Sequence, residues 1–198
     1  MRFYANIIIF INISIAVSMM ANMTAEPYIM ELDPYTKTTL KMYLFQNVRN
    51  LEVIRNNIIQ GVWSCAAIKP NLILDPFQVA VAANRAVVSE KHSTMVTKTV
   101  FSEILYNLSI SRSITQSFSK FGIDKDTHLL ICFLVTDQWD ASKEIVPQIE
   151  GELCSMSHLK QLTSMKNVIN FYKLKDTNDE DFLNVVVSKM VTKNFVTH

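Results

Sequence analysis

Glycine is scarce. The 198 residues include three, Gly61, Gly122 and Gly151, and no two are close. A phosphate-cradling loop needs clustered glycines so that backbone amides can close on the anion. Walker loops and dinucleotide fingerprints are therefore excluded, and Gly-x-Ser-x-Gly is absent as well. Cysteine is also sparse: Cys65, Cys132 and Cys154 are odd in number, far apart and without a Cys-x-x-Cys pair. Neither a zinc site nor a disulfide framework is indicated. His92, His128, His158 and His198 form no His-x-x-x-His pair. The expectation is no metal, no cofactor and no catalytic residue. An excess of one charge is missing too. Nineteen basic residues face eighteen acids, a net charge of +1. That excludes a broad basic footprint for nucleic acid and leaves room only for a small local patch.

What is present suits one packed domain. Hydrophobic residues make up 49% and charged residues 19%, the range of an ordinary globular core. The domain is read as residues 27–198. Residues 1–26 form an apolar extension. After Arg2 the stretch Phe3–Ala25 is uncharged and rich in isoleucine, long enough to begin like a signal peptide or anchor. Asn6 and Asn12 weaken the membrane reading, and no clear small-residue cleavage site follows. Met20, Met23 and Met30 offer alternative starts.

Periodicity and caps outline the elements. Leu40, Met42 and Leu44 alternate as in a strand. Asn47 is placed to cap a helix carrying Val48, Leu51, Ile54 and Ile58, with Gly61 at its stop. Asp75-Pro76-Phe77-Gln78 is the strongest local signal. An aspartate cap, proline at the first helical position and glutamine three after the cap predict a helix from Pro76 to about Lys91. Val100–Leu108 reads as another helix, and Ser113–Gln116 as a capping box for a short helix ending at Gly122. His128–Val135 is continuously apolar, which predicts a fully buried strand with Cys132 as a small buried thiol. Glu152–Met156 suggests a further strand, and Lys166–Leu174 is ambiguous. Thr177–Glu180 is read as the cap of a last helix carrying Phe182, Val185, Val186 and Met190.

One residue resists simple packing. On a 3.6-residue wheel Asn84 falls among Phe77, Val81 and Val88. A buried amide without partners costs about 1–3 kcal/mol. The favoured reading is a tether to a neighbouring loop; the alternative is an amide facing a ligand.

Three stretches carry a family pattern: Asp75-Pro-Phe-Gln-Val-Ala-Val-Ala-Ala-Asn84-Arg-Ala-Val, then Met95-Val-Thr-Lys98-Thr and Ser102-Glu-Ile-Leu-Tyr-Asn107-Leu-Ser. With Ser119-Lys-Phe-Gly122-Ile, Glu150-Gly151 and Phe171-Tyr-Lys-Leu174, the chain from about Leu32 to Lys193 resembles the PRPK-binding protein (TPRKB) family, subunits of the KEOPS (EKC) complex. The resemblance implies an α/β (α+β) single domain with a mixed sheet covered by helices. It implies no catalysis by this chain. The expected partners are the PRPK-type atypical kinase/ATPase, the other KEOPS subunits through it, and the 3′ CCA end of tRNA. The expected setting is threonylcarbamoylation of the adenosine beside the anticodon, in cytosol and nucleus. Expected RNA contacts are Asn84, Arg85, Lys98 and Asn107, with Arg85 and Lys98 facing solvent. Expected kinase contacts are Leu51, Ile54 and Ile58, with Ile169, Tyr172 and Val186. Two other classes stay open on the residues alone: a small cofactor-free enzyme with a scattered site, and a secreted or membrane-anchored protein.

Overall fold

In the computed structural model, which describes residues 25–174 and 181–195, the chain is organised around β2 (Thr39–Gln46). Alternation along this strand sends Leu40, Met42 and Leu44 into one core and Phe45 into another. One edge of β2 pairs with β4 (Leu129–Val135), from Thr39 opposite Val135 to Phe45 opposite Leu129. Its other edge is shared by β1 (Tyr28–Glu31) and β5 (Glu152–Cys154). Beyond β4 lies β3 (Ala66–Ile68), so the order is β1-β2-β4-β3 with β5 beside β2. Each of these four pairings is antiparallel, which puts the expected α/β (α+β) domain on the α+β side.

Helices cover both faces. Over Phe45, Ile131 and Phe133 lie α1 (Leu51–Ile59) and α5 (Ser142–Ile145), contributing Ile54 and Ile145. Over Leu40, Met42, Leu44 and Leu130 lie α2 (Pro76–Lys91), α3 (Val100–Leu108), α7 (Met165–Tyr172) and α8 (Phe182–Thr192). To that core α4 (Ile114–Phe121) adds Phe121 and α6 (Leu159–Leu162) adds Leu159. Residues 129–133 are buried, and neighbours alternate between the two cores. A strand covered on both faces must read as a continuous apolar run. Burial pushes the Cys65 thiol up to about 12 and raises that of Cys132 as well. Neither is a nucleophile near neutral pH.

Local chemistry explains most element ends. Asp75 accepts from the Phe77 amide at 2.9 Å and Pro76 opens α2. Gln78 does not reach back to the cap residue. Its Oε1 accepts from the Leu74 amide at 2.9 Å, and its Nε2 donates to the Tyr172 hydroxyl at 2.8 Å. The buried face of α2 is Val79, Ala80, Ala82, Ala83, Ala86 and Val87. It differs from the face drawn through Phe77, which is 44% exposed. The four alanines on this face let α3 pack closely against it, while Phe77 is left outside. Asn47 does not cap α1 either. It takes the left-handed conformation (φ 52°), and α1 begins after Asn50, with Val48 outside the helix. Gly61, with φ +73°, follows the end of α1 as expected. Gly122 is needed for close approach: a Cβ there would lie 2.7 Å from the Phe118 carbonyl oxygen. The expected cap Thr177–Glu180 lies outside the described residues, as do the extension up to Thr24 and the starts at Met20 and Met23. Among the described residues no helix is long and apolar enough to cross a membrane.

Candidate functional site

The four residues expected to meet RNA sit on or beside the paired helices α2 and α3, and three of them are engaged within the chain. Asn84 Oδ1 accepts from the Asp33 amide at 2.7 Å, tethering the β1–β2 turn to α2. Asn107 is buried, and its Nδ2 donates to the Ala82 carbonyl at 3.3 Å, tying α3 to α2. Arg85 is half-buried rather than solvent-facing. Its Nη1 donates to the Met190 carbonyl at 2.7 Å. Arg112 Nε takes the Lys193 carbonyl at 2.9 Å. The two guanidiniums thus meet carbonyls at the negative end of α8, where cations are favoured. Burial lowers the Arg85 guanidinium from its ordinary value. Lys98 alone of the four is exposed. Its loop is held by the buried Glu103 carboxylate, which accepts from Thr97 N at 2.8 Å, Thr97 Oγ1 at 2.7 Å and Val96 N at 3.1 Å. Lys98 precedes the start of α3, whereas Asn107 lies in its last turn.

The six expected kinase contacts divide across the sheet. Leu51, Ile54 and Ile58 belong to the core under α1, whereas Ile169, Tyr172 and Val186 belong to the opposite one. Ile54, Tyr172 and Val186 are fully buried. Their side chains hold α1, α7 and α8 in place and offer nothing to a partner. The Tyr172 hydroxyl receives the Gln78 amide and donates to the Leu108 carbonyl at 2.8 Å. Leu51, Ile58 and Ile169 are half-buried.

Two concave surfaces went unread in the sequence. An apolar groove of about 410 Å³ runs between α1 and the α3–α4 pair, lined by Ile58, Ile59, Phe101, Leu105 and Phe118. Ile59 is 70% and Phe118 37% exposed. Its floor includes Ala66 and Ala67 of the edge strand β3. The second surface is a cleft of about 780 Å³ lined by Lys69, Arg112, Lys120, Lys173 and Lys193 together with polar side chains. Among the described residues no carboxylate lines it. Lys69 bonds to Asp124 at 2.8 Å, and this hydrogen bond holds the Asp124 carboxyl below the usual carboxylate range. Lys193 lies 3.3 Å from the centre of the Tyr106 ring and donates to the Tyr106 carbonyl. Burial, aided by Arg85, lowers its ammonium to about 7. These cations come from β3's exit, α4, the ends of α7 and α8, and the loop after α3. No local motif could announce them. Among the described residues no cluster of three or more His, Cys, Asp or Glu is placed to hold a metal ion.

Comparison with known proteins bears on this geometry. Residues 45–194 match the family model described as kinase binding protein CGI-121. The chain is similar to the EKC/KEOPS complex subunit TPRKB of Danio rerio, 29% identical over 168 residues, covering 83% of this chain and 96% of that protein. It is similar to the EKC/KEOPS complex subunit CGI121 of Yarrowia lipolytica, 30% identical over 137 residues, covering 67% and 78%. A third relative is the EKC/KEOPS complex subunit cgi121 of Schizosaccharomyces pombe, 24% identical over 173 residues, covering 84% and 99%. The match takes in everything from the end of β2 through α8, both concave surfaces included. On that breadth the chain belongs to the CGI-121 family of kinase-binding proteins.

Proposed function

We propose that this chain is the non-catalytic CGI-121-type subunit of a KEOPS (EKC) complex. In this reading it binds the PRPK-type kinase/ATPase and, through it, the other subunits. It also holds the 3′ CCA end of tRNA during threonylcarbamoylation of the adenosine beside the anticodon. The observation that carries the reading is the family match over residues 45–194, with three relatives named as EKC/KEOPS subunits spanning most of the chain. The reading entails the cytosol and nucleus as its compartments.

The kinase docks, in this proposal, on the apolar groove edged by Ile58 and Ile59. Exposed apolar side chains of this kind become anchors when a partner excludes water from them. Leu51 supports the groove from within α1, and Ile169 lies on the far face as the comparison position. For tRNA, Lys98 supplies an exposed cation. Asn84, Arg85 and Asn107 shape the surface by fixing α2 against the β1–β2 turn, α8 and α3. The experiment is binding of intact tRNA against tRNA lacking its 3′ CCA, run beside a pull-down of the kinase. Preference for the intact tRNA and recovery of the kinase are expected. Equal affinity for the two tRNAs removes the RNA half of the reading, and failure to recover the kinase removes the other half.

A further inference from the structure

A lysine closes α8 inside the fold rather than on its surface. Lys193 follows Thr192 at the C-terminal cap and is 1% exposed. α8 packs against α2 and α3, and its last turn is fastened at three points. Arg85 of α2 donates to the Met190 carbonyl at 2.7 Å. Arg112, past the end of α3, donates to the Lys193 carbonyl at 2.9 Å. The third fastening is Lys193 itself, whose Nζ donates to the Tyr106 carbonyl and lies 3.3 Å from the centre of that ring. The two guanidiniums are permanent cations. The lysine is the one fastening that can lose its charge.

The charges around this amine are one-sided. Arg85 and Arg112 reach the end of α8 from two directions, and Lys189, one turn earlier, is turned to the Lys173 carbonyl at 3.1 Å. Among the described residues Glu103 of α3 is the acid that acts on Lys193. Its carboxylate is already engaged by Thr97 and the Val96 amide. Burial, then repulsion from Arg85, outweigh Glu103 and hold the Lys193 ammonium down at about 7. A second place for the amine lies beside the first. Lys193 also lines the cleft of about 780 Å³. Lys69, Lys120 and Lys173 line it too, and among the described residues no carboxylate does. An ammonium moving into it therefore gains hydration rather than an ion pair. Asn71 Oδ1, buried at the same cleft without a hydrogen-bond partner, is an acceptor in want of a donor.

We propose that Lys193 is a proton-operated latch on α8. As a neutral amine it docks on Tyr106 and closes the last turn of α8 against α3. On taking up a proton it leaves Tyr106 for the cleft, which loosens that turn and adds a cation to the cleft wall. In water a lysine keeps its proton up to about pH 10.4, whereas the docked amine keeps it only up to about 7. Between these values the open form alone is protonated, so the open fraction rises about tenfold for each unit of pH lost. Below the lower value both forms are protonated and the open fraction levels off. The latch thus makes both the order of α8's last turn and the charge of the cleft depend on pH around neutrality.

The test is hydrogen exchange on the full chain, read by mass spectrometry over α8 and over β4, from about pH 6 to about pH 9, with each rate divided by the intrinsic rate at that pH. In the wild type the last turn of α8 opens far more often than β4, and its opening falls about tenfold per unit as pH rises above neutrality. Lys193→Met keeps the apolar stem and cannot take a proton, so its opening no longer depends on pH. Lys193→Arg carries a permanent charge and opens at every pH at least as often as the wild type does in acid. Titration of the wild-type amine by 15N NMR is independent of both variants and gives a midpoint near neutrality. Opening of the wild-type turn that ignores pH overturns the latch, as does the same pH dependence in Lys193→Met. Exchange of the turn only together with β4 overturns it too, because the proton is then linked to global unfolding. A midpoint near that of a free lysine removes the proton from the device altogether.

Discussion

Replacing Tyr172 by phenylalanine separates support of the fold from contact with a partner. The ring is fully buried, and burial raises its phenol, which stays protonated as a donor. Its hydroxyl is the junction between three segments. It donates to the Leu108 carbonyl at the end of α3 and receives Gln78 Nε2 from α2, each at 2.8 Å. Phenylalanine keeps the ring and removes the junction. Gln78 Nε2 retains the Leu72 carbonyl at 3.2 Å, so the amide is only partly stranded. The Leu108 carbonyl loses its side-chain donor. One stranded acceptor and one weakened donor in the core cost about 2 kcal/mol, within the roughly 1–3 kcal/mol span for unsatisfied buried groups. For a chain of this size that is a fall in Tm of about 4–8 °C. Urea titration and calorimetry read the stability, and a kinase pull-down at a temperature where the variant is folded reads the function. Stability should fall while kinase binding stays at the wild-type level. A wild-type Tm refutes the network argument. Lost kinase binding by the folded variant refutes the assignment of Tyr172 to support alone.

Lys193→Met should flatten the pH dependence of stability above neutrality. The lysine is lowered to about 7 when folded and sits near 10.4 when unfolded. Between these values the unfolded chain holds the extra proton, so stability rises with pH, with a slope approaching about 1.4 kcal/mol per unit. Equal slopes for wild type and variant in urea titrations across that window would contradict this. A chain beginning at Met23 keeps every described residue and should unfold with wild-type cooperativity. One beginning at Met30 loses Tyr28 and Ile29 of β1 and should melt lower; identical melting of the two would count against β1 as a stabilising strand. Phe118→Glu should weaken kinase binding by more than about 2 kcal/mol, whereas Ile169→Glu on the far face should not, as titration calorimetry would read. The reverse ranking would move the docking face to the α7–α8 side.

Elements with a long signal were legible in the sequence. The cap and proline at Asp75-Pro76 marked the start of α2, and β4 declared itself by uninterrupted apolarity. β1, β3, α5 and α6 span three or four residues each, too few for a period to show. The tether read at Asn84 was found with its loop at Asp33. The wheel that drew attention to it had the wrong inward face, since the alanines pack against α3 and Phe77 is left outside. Apolar surplus on a helix could not say whether Ile54 or Ile59 pointed outward. That was decided by which core the helix covers. Neither the groove nor the basic cleft had a local pattern, since each assembles from segments far apart in the chain.

The most direct test of the account is titration of the purified chain into the PRPK-type kinase in a calorimeter, with ATP hydrolysis followed in parallel. The proposed function predicts a saturable heat of binding and a rise in ATP hydrolysis by the kinase. No heat of binding together with unchanged hydrolysis, using a chain shown to unfold cooperatively, would contradict it.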